Sequence, residues 1–246
     1  MFNVAHIDST PDLRIALIAE GSTDYPIIHA ALRAFMPRPF ILTWLPLESK
    51  LTPIGEGWGG VLKMCEELKA LHSGSLDDHP LLAYYDMLII HVDVDVSTKQ
   101  YSDYGHTIAT LARTKNWGHL PCAHQCPPVT STVQSLSSVL DSWLLPMVRG
   151  SHTVYCLPAQ SSGTWLAVAT IPATQPIIQN SVECNTAVES MLAGGGGGVK
   201  KKYKIKKNTL AYNKSAPQLT NNWDYVKGIC TQAQKFEYDT IGAIPP

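Results

Sequence analysis

The chain has no apolar run long enough to cross a bilayer as a helix, which takes roughly 18 residues or more. Its longest candidate, WLAVATIPATQPII, is broken by Pro172 and Pro176. No apolar stretch follows basic residues at the N-terminus, so no secretory leader is expected. Neither G-x-S-x-G nor the Walker A pattern occurs, which removes two common signatures of hydrolases and nucleotide enzymes. The run GEGWGG around Gly55 is followed by no lysine in the Walker position and is not read as a phosphate loop. Charged residues are sparse at 16%, and a formal net charge of -1 says nothing by itself about partners. The six cysteines are not tightly spaced and read as reduced, intracellular thiols, so a cytoplasmic location without membrane contact is expected. HLPCAHQC gathers His119, Cys122, His124 and Cys126, but the spacing fits no standard zinc finger, and an ordinary loop is the better reading.

What charge there is lies unevenly. From Val199 onward nine lysines stand against three acids, whereas the first 198 residues hold ten basic residues against seventeen acidic ones. An acidic body with a basic C-terminal segment suits a metal at one site and a polyanion at another.

The hydrophobic pattern alternates between strand and helix. Strands are expected at Arg14–Ala19, Phe40–Leu45, within residues 86–96 (DMLIIHVDVDV) and at TVYCLP. Helices are expected at Asp24–Phe35, Trp58–Leu71 and Thr130–Val148. In the second helix Val61, Leu62, Cys65, Leu68 and Leu71 share one face. Beyond Ser161 short helices are expected near Thr164–Thr170 and Glu183–Leu192, with a longer one around Pro217–Phe236. This order predicts an α/β fold with a mainly parallel sheet flanked by helices, followed by a helical, basic C-terminal extension. Gly194–Gly198 then reads as a hinge into a lysine cluster.

Two sets of carboxylates stand where strands should end. Glu20 and Gly21 follow the first strand, and the glycine is expected to permit a tight turn into the helix. If the third strand runs on through Asp93 and Asp95, those side chains project to one side, with His91 one step behind. Carboxylates at the end of an apolar strand need a balancing positive charge, and a hard divalent cation supplies one. In open α/β sheets ligands gather beyond the carboxyl ends of the strands. Adjacency of the two strands would therefore bring Glu20, Asp93 and Asp95 together. Either motif alone is common; their conjunction in this order points to metal. Asp24 and His91 are accessory candidates, with a hydrogen-bonded core histidine as the alternative for His91.

IAEGSTD followed by IIHVDVDV resembles the TOPRIM signature, in which a glutamate follows one strand and D-x-D a later one. The likeness is greatest to the OLD-type nucleases and to a related bacterial domain of unknown function associated with phage defence. Three later stretches look like landmarks of that group: CPPVTSTVQSLSSVLDSWL, LPAQSSGTWLAVA, and KIKKNTLAY continued by APQLTNNWDYVKGICTQAQKF. The resemblance implies a TOPRIM-like, Rossmann-like domain over residues 1–160 and a helical extension over residues 161–246 packed on it. It implies Asp93 and Asp95 as ligands of Mg²⁺ or Mn²⁺, and Glu20 as ligand or general base, in phosphodiester hydrolysis. A partner ATPase or another defence-system subunit is implied too. One departure stands out: an acid is expected just before the Trp of SSGTWLAVA, where this chain has Gly163 and Thr164.

Lys200, Lys201, Lys202, Lys204, Lys206 and Lys207 fall within eight residues, interleaved with Tyr203 and followed by Tyr212. Clustered lysines bind phosphates without regard to sequence and aromatic rings stack on unpaired bases, so DNA or RNA is the expected partner. The leading expectation is a Mg²⁺-dependent nuclease. A catalytically weakened TOPRIM module that binds nucleic acid or regulates a partner is the alternative, favoured by Gly163. A metal-dependent glycosyltransferase, in which D-x-D would hold a diphosphate, leaves the Glu20-Gly21 turn unexplained.

Overall fold

A computed structural model describes residues 11–45, 57–179, 181–195 and 199–246. Four strands, β1 (Leu13–Ile18), β2 (Phe40–Trp44), β3 (Met87–His91) and β4 (Thr153–Cys156), form one sheet in the order β2-β1-β3-β4. Every pairing in it is parallel. The helices are α1 (Asp24–Phe35), α2 (Trp58–Leu71), α3 (His106–Thr114), α4 (Thr130–Leu144), α5 (Ser162–Thr170), α6 (Pro176–Gln179), α7 (Val188–Ala193), α8 (Thr209–Asn221), α9 (Trp223–Ile229) and α10 (Thr231–Ala243). The architecture is a Rossmann-like α/β arrangement, as the alternating pattern predicts.

The central strands are apolar along their whole length because both faces of the sheet are covered. Ile15 and Leu17 of β1 and Ile89 of β3 face a core built with α1, α5, α8, α9 and α10, where Trp165 stacks on Phe236 and meets Trp223 edge-on. Ala16 and Ile18 of β1 and Ile90 of β3 face a second core against α2 and α4, with Leu62, Leu136 and Trp143. Helix α5 is buried from Ser162 to Ala169, all the way round, as expected of a helix enclosed between other elements. Its N-terminal end meets the loops that follow the strands, and also α7 through Glu189, which is how it enters the site below.

Several boundaries differ from the sequence expectation. β3 stops at His91, and residues Val94–Thr98 form a 3-10 turn begun by Asp93. The cause is pairing with an irregular partner: the N–H groups of Val92, Val94 and Asp95 donate to the carbonyls of Cys156, Pro158 and Gln160 in turn, past the end of β4. Leu71 is 61% exposed and does not join the buried face of α2. The helix begun at Thr130 ends at Leu144 rather than Val148, since Leu145 precedes Pro146 and is steered out of helical geometry. Helix α3 is not among the helices expected from the sequence, although Ile108 and Ala112 bury one face of it. The last expected helix is three, α8 to α10, with Pro217 inside the first.

Two expectations about cysteine and the glycine run need separate comment. Cys126 and Cys184 form a disulfide, contrary to the expectation of reduced thiols throughout; Cys65, Cys122, Cys156 and Cys230 are free. The expected hinge at Gly194–Gly198 falls partly outside the described residues, but its first residue ends α7 in the left-handed conformation, φ 106°. Among the described residues no helix is long and apolar enough to cross a membrane.

Candidate functional site

The strand order reverses between β1 and β3: the chain leaves β1 toward β2 on one side and returns to β3 on the other. A crevice opens at such a switch point beyond the carboxyl ends of the two strands, where α/β proteins place their ligands. Glu20 follows β1 and Asp93 follows β3. Their meeting is direct, because the Asp93 N–H donates to Glu20 Oε1 at 2.6 Å. Glu20 is fixed from a third side by Gly57, whose N–H donates to the Glu20 carbonyl at 3.0 Å. Gly57 has φ 79°, and a side chain there would come within 3.2 Å of the Tyr104 hydroxyl and 3.9 Å of Glu20 Oε2. The positive φ is what favours glycine at this position. Residues 57–60 of the GEGWGG run thus open α2 beside Glu20; residues 55 and 56 lie outside the described residues.

The turn after β1 works differently from expectation. Gly21 is not in the left-handed region, and a Cβ there would meet only Asp24 Oδ2 at an ordinary 3.7 Å. The turn is held instead by reciprocal bonds: Gly21 N–H donates to Asp24 Oδ2 at 2.9 Å, and Asp24 N–H donates to the Gly21 carbonyl at 3.2 Å. Asp24 is buried, and its other carboxylate oxygen accepts from the Ser162 hydroxyl at 2.7 Å.

Ser162 opens α5 and joins both acids. Its N–H donates to Asp93 Oδ1 at 2.9 Å, so the Asp93 carboxylate caps a helix whose positive end faces it. The chain reaches this helix start through Gln160, a non-glycine residue at φ 64°, a conformation that costs free energy and that often sits beside functional groups. Sequence reasoning missed Ser162. The only available signal was a serine pair where the last strand hands over to an apolar helix.

His91 closes the group. It is fully buried, with Nε2 3.1 Å from Asp93 Oδ1 and Nδ1 3.9 Å from Asp24 Oδ2. Neither ring nitrogen meets strict hydrogen-bond geometry among the described residues, and the nearest partner of the ring is the Asp93 carboxylate. Burial works against charge on His91, yet the Asp24, Asp93 and Glu20 carboxylates outweigh it and lift its pKa to about 9. Burial pushes Asp93 up to about 6 despite the pull of His91. Burial, reinforced by the Asp93 charge, raises Glu20 well above the ordinary carboxylate range.

Donor atoms of Asp24, His91 and Asp93 all lie within 4.8 Å of one another, close enough to share a cation. The donors fit such an ion: carboxylate oxygens dominate, as Mg²⁺ and Mn²⁺ prefer, and one buried imidazole faces them without strict hydrogen-bond geometry among the described residues. Asp95 is not in that group. Because it leaves the 3-10 turn rather than a strand, it does not alternate with Asp93, and it lies 3.6 Å from Lys99 with its side chain 47% exposed. Burial raises its pKa, with Lys99 and Lys207 opposing and Glu189 adding to the rise.

The lysine cluster divides. All six lysines are exposed, but Lys207 donates to Glu189 Oε2 at 2.7 Å and Lys204 to the Gly194 carbonyl at 3.3 Å, while Lys202 lies over the Tyr203 ring at 4.8 Å. Tyr212 is fully buried and its hydroxyl donates to Glu189 Oε1 at 3.1 Å, so it is not a platform for a base. In the Cys/His loop, His119 Nδ1 lies 2.9 Å from the Pro121 carbonyl, His124 Nε2 lies 2.8 Å from Ser135 Oγ, and Cys126 is in the disulfide. No metal-ligating group forms there among the described residues.

Comparison of the chain with protein-family models, with curated proteins and with solved structures gives no match in any of the three.

Proposed function

We propose that the protein is a divalent-cation-dependent nuclease that hydrolyses phosphodiester bonds at the β1/β3 crevice. The observation that carries this reading is the convergence of Glu20, Asp24, His91 and Asp93 on one mostly buried spot at the switch point of the sheet. Mg²⁺ or Mn²⁺ bound there would neutralise non-bridging phosphate oxygens and make water a better nucleophile. Asp24 and Asp93 would hold the ion, each oriented by a hydrogen bond from Ser162. Glu20, held by the Asp93 N–H, stands where it can bind the ion or take a proton from water. His91 would balance the carboxylates in the cation-free protein and ligate or orient once deprotonated.

The exposed lysines Lys200, Lys201 and Lys206 are the best placed to hold a nucleic-acid backbone, since among the described residues no side-chain hydrogen bond or ion pair engages their ammonium groups. The resemblance to TOPRIM nucleases extends the reading to phage defence, with a partner ATPase or another subunit as activator and the cytoplasm as location. A second reading, a cation- and nucleic-acid-binding module that does not cleave, is favoured by the uncharged Gly163–Thr164 step at the start of α5. Cleavage of labelled single- and double-stranded DNA and RNA in Mg²⁺, Mn²⁺ and EDTA separates the two. Cutting that requires the cation and disappears in Glu20→Gln and Asp93→Asn supports the nuclease; binding without cutting supports the second reading.

A further inference from the structure

The Cys126–Cys184 disulfide lies outside the crevice, yet the segments it joins are both hydrogen-bonded to backbone that shapes it. On the Cys126 side, the N–H groups of Cys122 and Ala123 donate to the Ser97 carbonyl at 2.7 and 3.1 Å, in the 3-10 turn that Asp93 begins. On the Cys184 side, the Glu183 carbonyl accepts from Gln160 Nε2 at 3.1 Å. The Gln160 carbonyl accepts the Asp95 N–H at 3.1 Å, and Gln160 stands two residues before Ser162, which binds Asp24 and Asp93. These links close a ring around the loops that carry Asp93 and Ser162, and the disulfide is its covalent cross-link. Two points of the ring are held against backbone preference. Of the three non-glycine residues at positive φ among the described residues, Gln160 (φ 64°) is one, and Ser181 (φ 42°), whose carbonyl accepts the Cys184 N–H at 2.7 Å, is another. Such conformations persist where the surroundings hold them.

The bond is also within reach of a reagent. Cys126 and Cys184 are half-buried, and Cys184 borders a cavity of about 490 Å³ together with Pro127, Pro128, Glu183 and Tyr225. In the cytoplasm proposed above, where thiols are kept reduced, a disulfide is more often a switch than a permanent staple. We infer that Cys126–Cys184 is a reducible strap on the crevice. Closed, it holds the Asp93 and Ser162 loops in place; opened by a dithiol reductant, it releases them and weakens the site. A thiolate of the reductant attacks Cys184 Sγ from the cavity, the S–S bond breaks, and Cys126 leaves as a thiolate that takes up a proton. The second thiol of the reductant then displaces Cys184 from the mixed disulfide. Two electrons and two protons pass, giving two thiols on this chain and one disulfide on the reductant. The loss of cation affinity rests on the proposed function; the loosening of the backbone does not.

The test is hydrogen exchange of the full chain, oxidised and after reduction by dithiothreitol, with a thiol count and a thermal melt on each sample. The count should rise from the four free thiols to all six cysteines. With labelling short enough that β1 and β3 do not exchange, the N–H groups of Asp95, Ser162, Cys122 and Ala123 should exchange faster in the reduced chain, through local opening. Mn²⁺ binding followed by calorimetry should weaken about 10-fold, the scale of lost outer support at a metal site. The chain carrying Cys126→Ser and Cys184→Ser together should match the reduced parent and ignore the reductant. Unchanged exchange at those four amides after reduction overturns the inference. So does a rise that spreads through β1 and β3, which would make the bond a staple of the whole fold, or a count of six thiols in the oxidised sample. Faster exchange at the four amides in a chain that takes up no Mn²⁺ in either state upholds the strap and overturns the cation site instead.

Discussion

Replacing Asp93 by asparagine should make the cation-free protein more stable while removing its response to divalent ions. Asp93 titrates near 6 in the folded chain against an ordinary 3.8. Its carboxyl is raised, so the folded state prefers it protonated, and that preference is lost as pH rises from about 4 to 6. Above pH 6 the ionised, buried carboxylate costs about 3 kcal/mol, at about 1.4 kcal/mol for each tenfold change in proton affinity. Asparagine removes this charge and relieves Glu20, whose own rise is caused in part by Asp93. It keeps an oxygen for the Ser162 N–H. It also takes one partner from His91, which offsets part of the gain. A net stabilisation of about 2 kcal/mol at pH 8 in EDTA follows, or about 4–8 °C in Tm for a domain of this size. Thermal melts of parent and variant, each with EDTA and with excess Mg²⁺, are the assay. The parent should gain stability from Mg²⁺ and the variant should not. A variant that is less stable than the parent in EDTA, or that still gains from Mg²⁺, would refute the reasoning.

In EDTA the parent should lose stability as pH rises from about 6.5 to 9, because His91 is raised to about 9 and its stabilising charge disappears through that window; with Mg²⁺ present the slope should flatten or reverse, and melts identical in pH dependence under both conditions would contradict the site. The Cys126–Cys184 bond closes 58 residues of sequence, worth about 4 kcal/mol in the chain-entropy account, so dithiothreitol or Cys126→Ser should lower Tm, and an unchanged Tm would show that the bond does not stabilise the native chain. Replacing Lys200, Lys201 and Lys206 together by alanine should weaken nucleic-acid binding and reduce its salt dependence by about two to three counter-ions, measured by fluorescence anisotropy across a salt series; equal slopes would assign those lysines to solubility alone.

The layers of this fold were legible because burial on both faces writes itself as continuous apolar runs. LRIALI and MLIIH could hardly be anything but central strands. Glu20 and Asp93 were legible for the same reason, as acids abruptly following such runs. Asp95 illustrates what was not: D-x-D reads as alternation only if the strand continues, and the strand ends at His91 because its partner beyond β4 is irregular. Gly21 attracted a backbone explanation that belongs to Gly57, which has the positive φ and is hydrogen-bonded to Glu20, 37 residues earlier. Ser162 reaches the crevice only through the packing of α5, and tertiary placement of that kind leaves no mark on local sequence. Tyr212 looked like a base-stacking ring beside lysines, yet burial turned it inward to support Glu189.

The measurement closest to the central claim is anomalous diffraction from crystals grown or soaked in Mn²⁺. The account predicts a manganese peak among Asp24, Asp93 and His91, next to Glu20, that is absent from Asp93→Asn crystals treated identically. An empty crevice in the parent, with His91 still resting against Asp93 and Asp24, would contradict it.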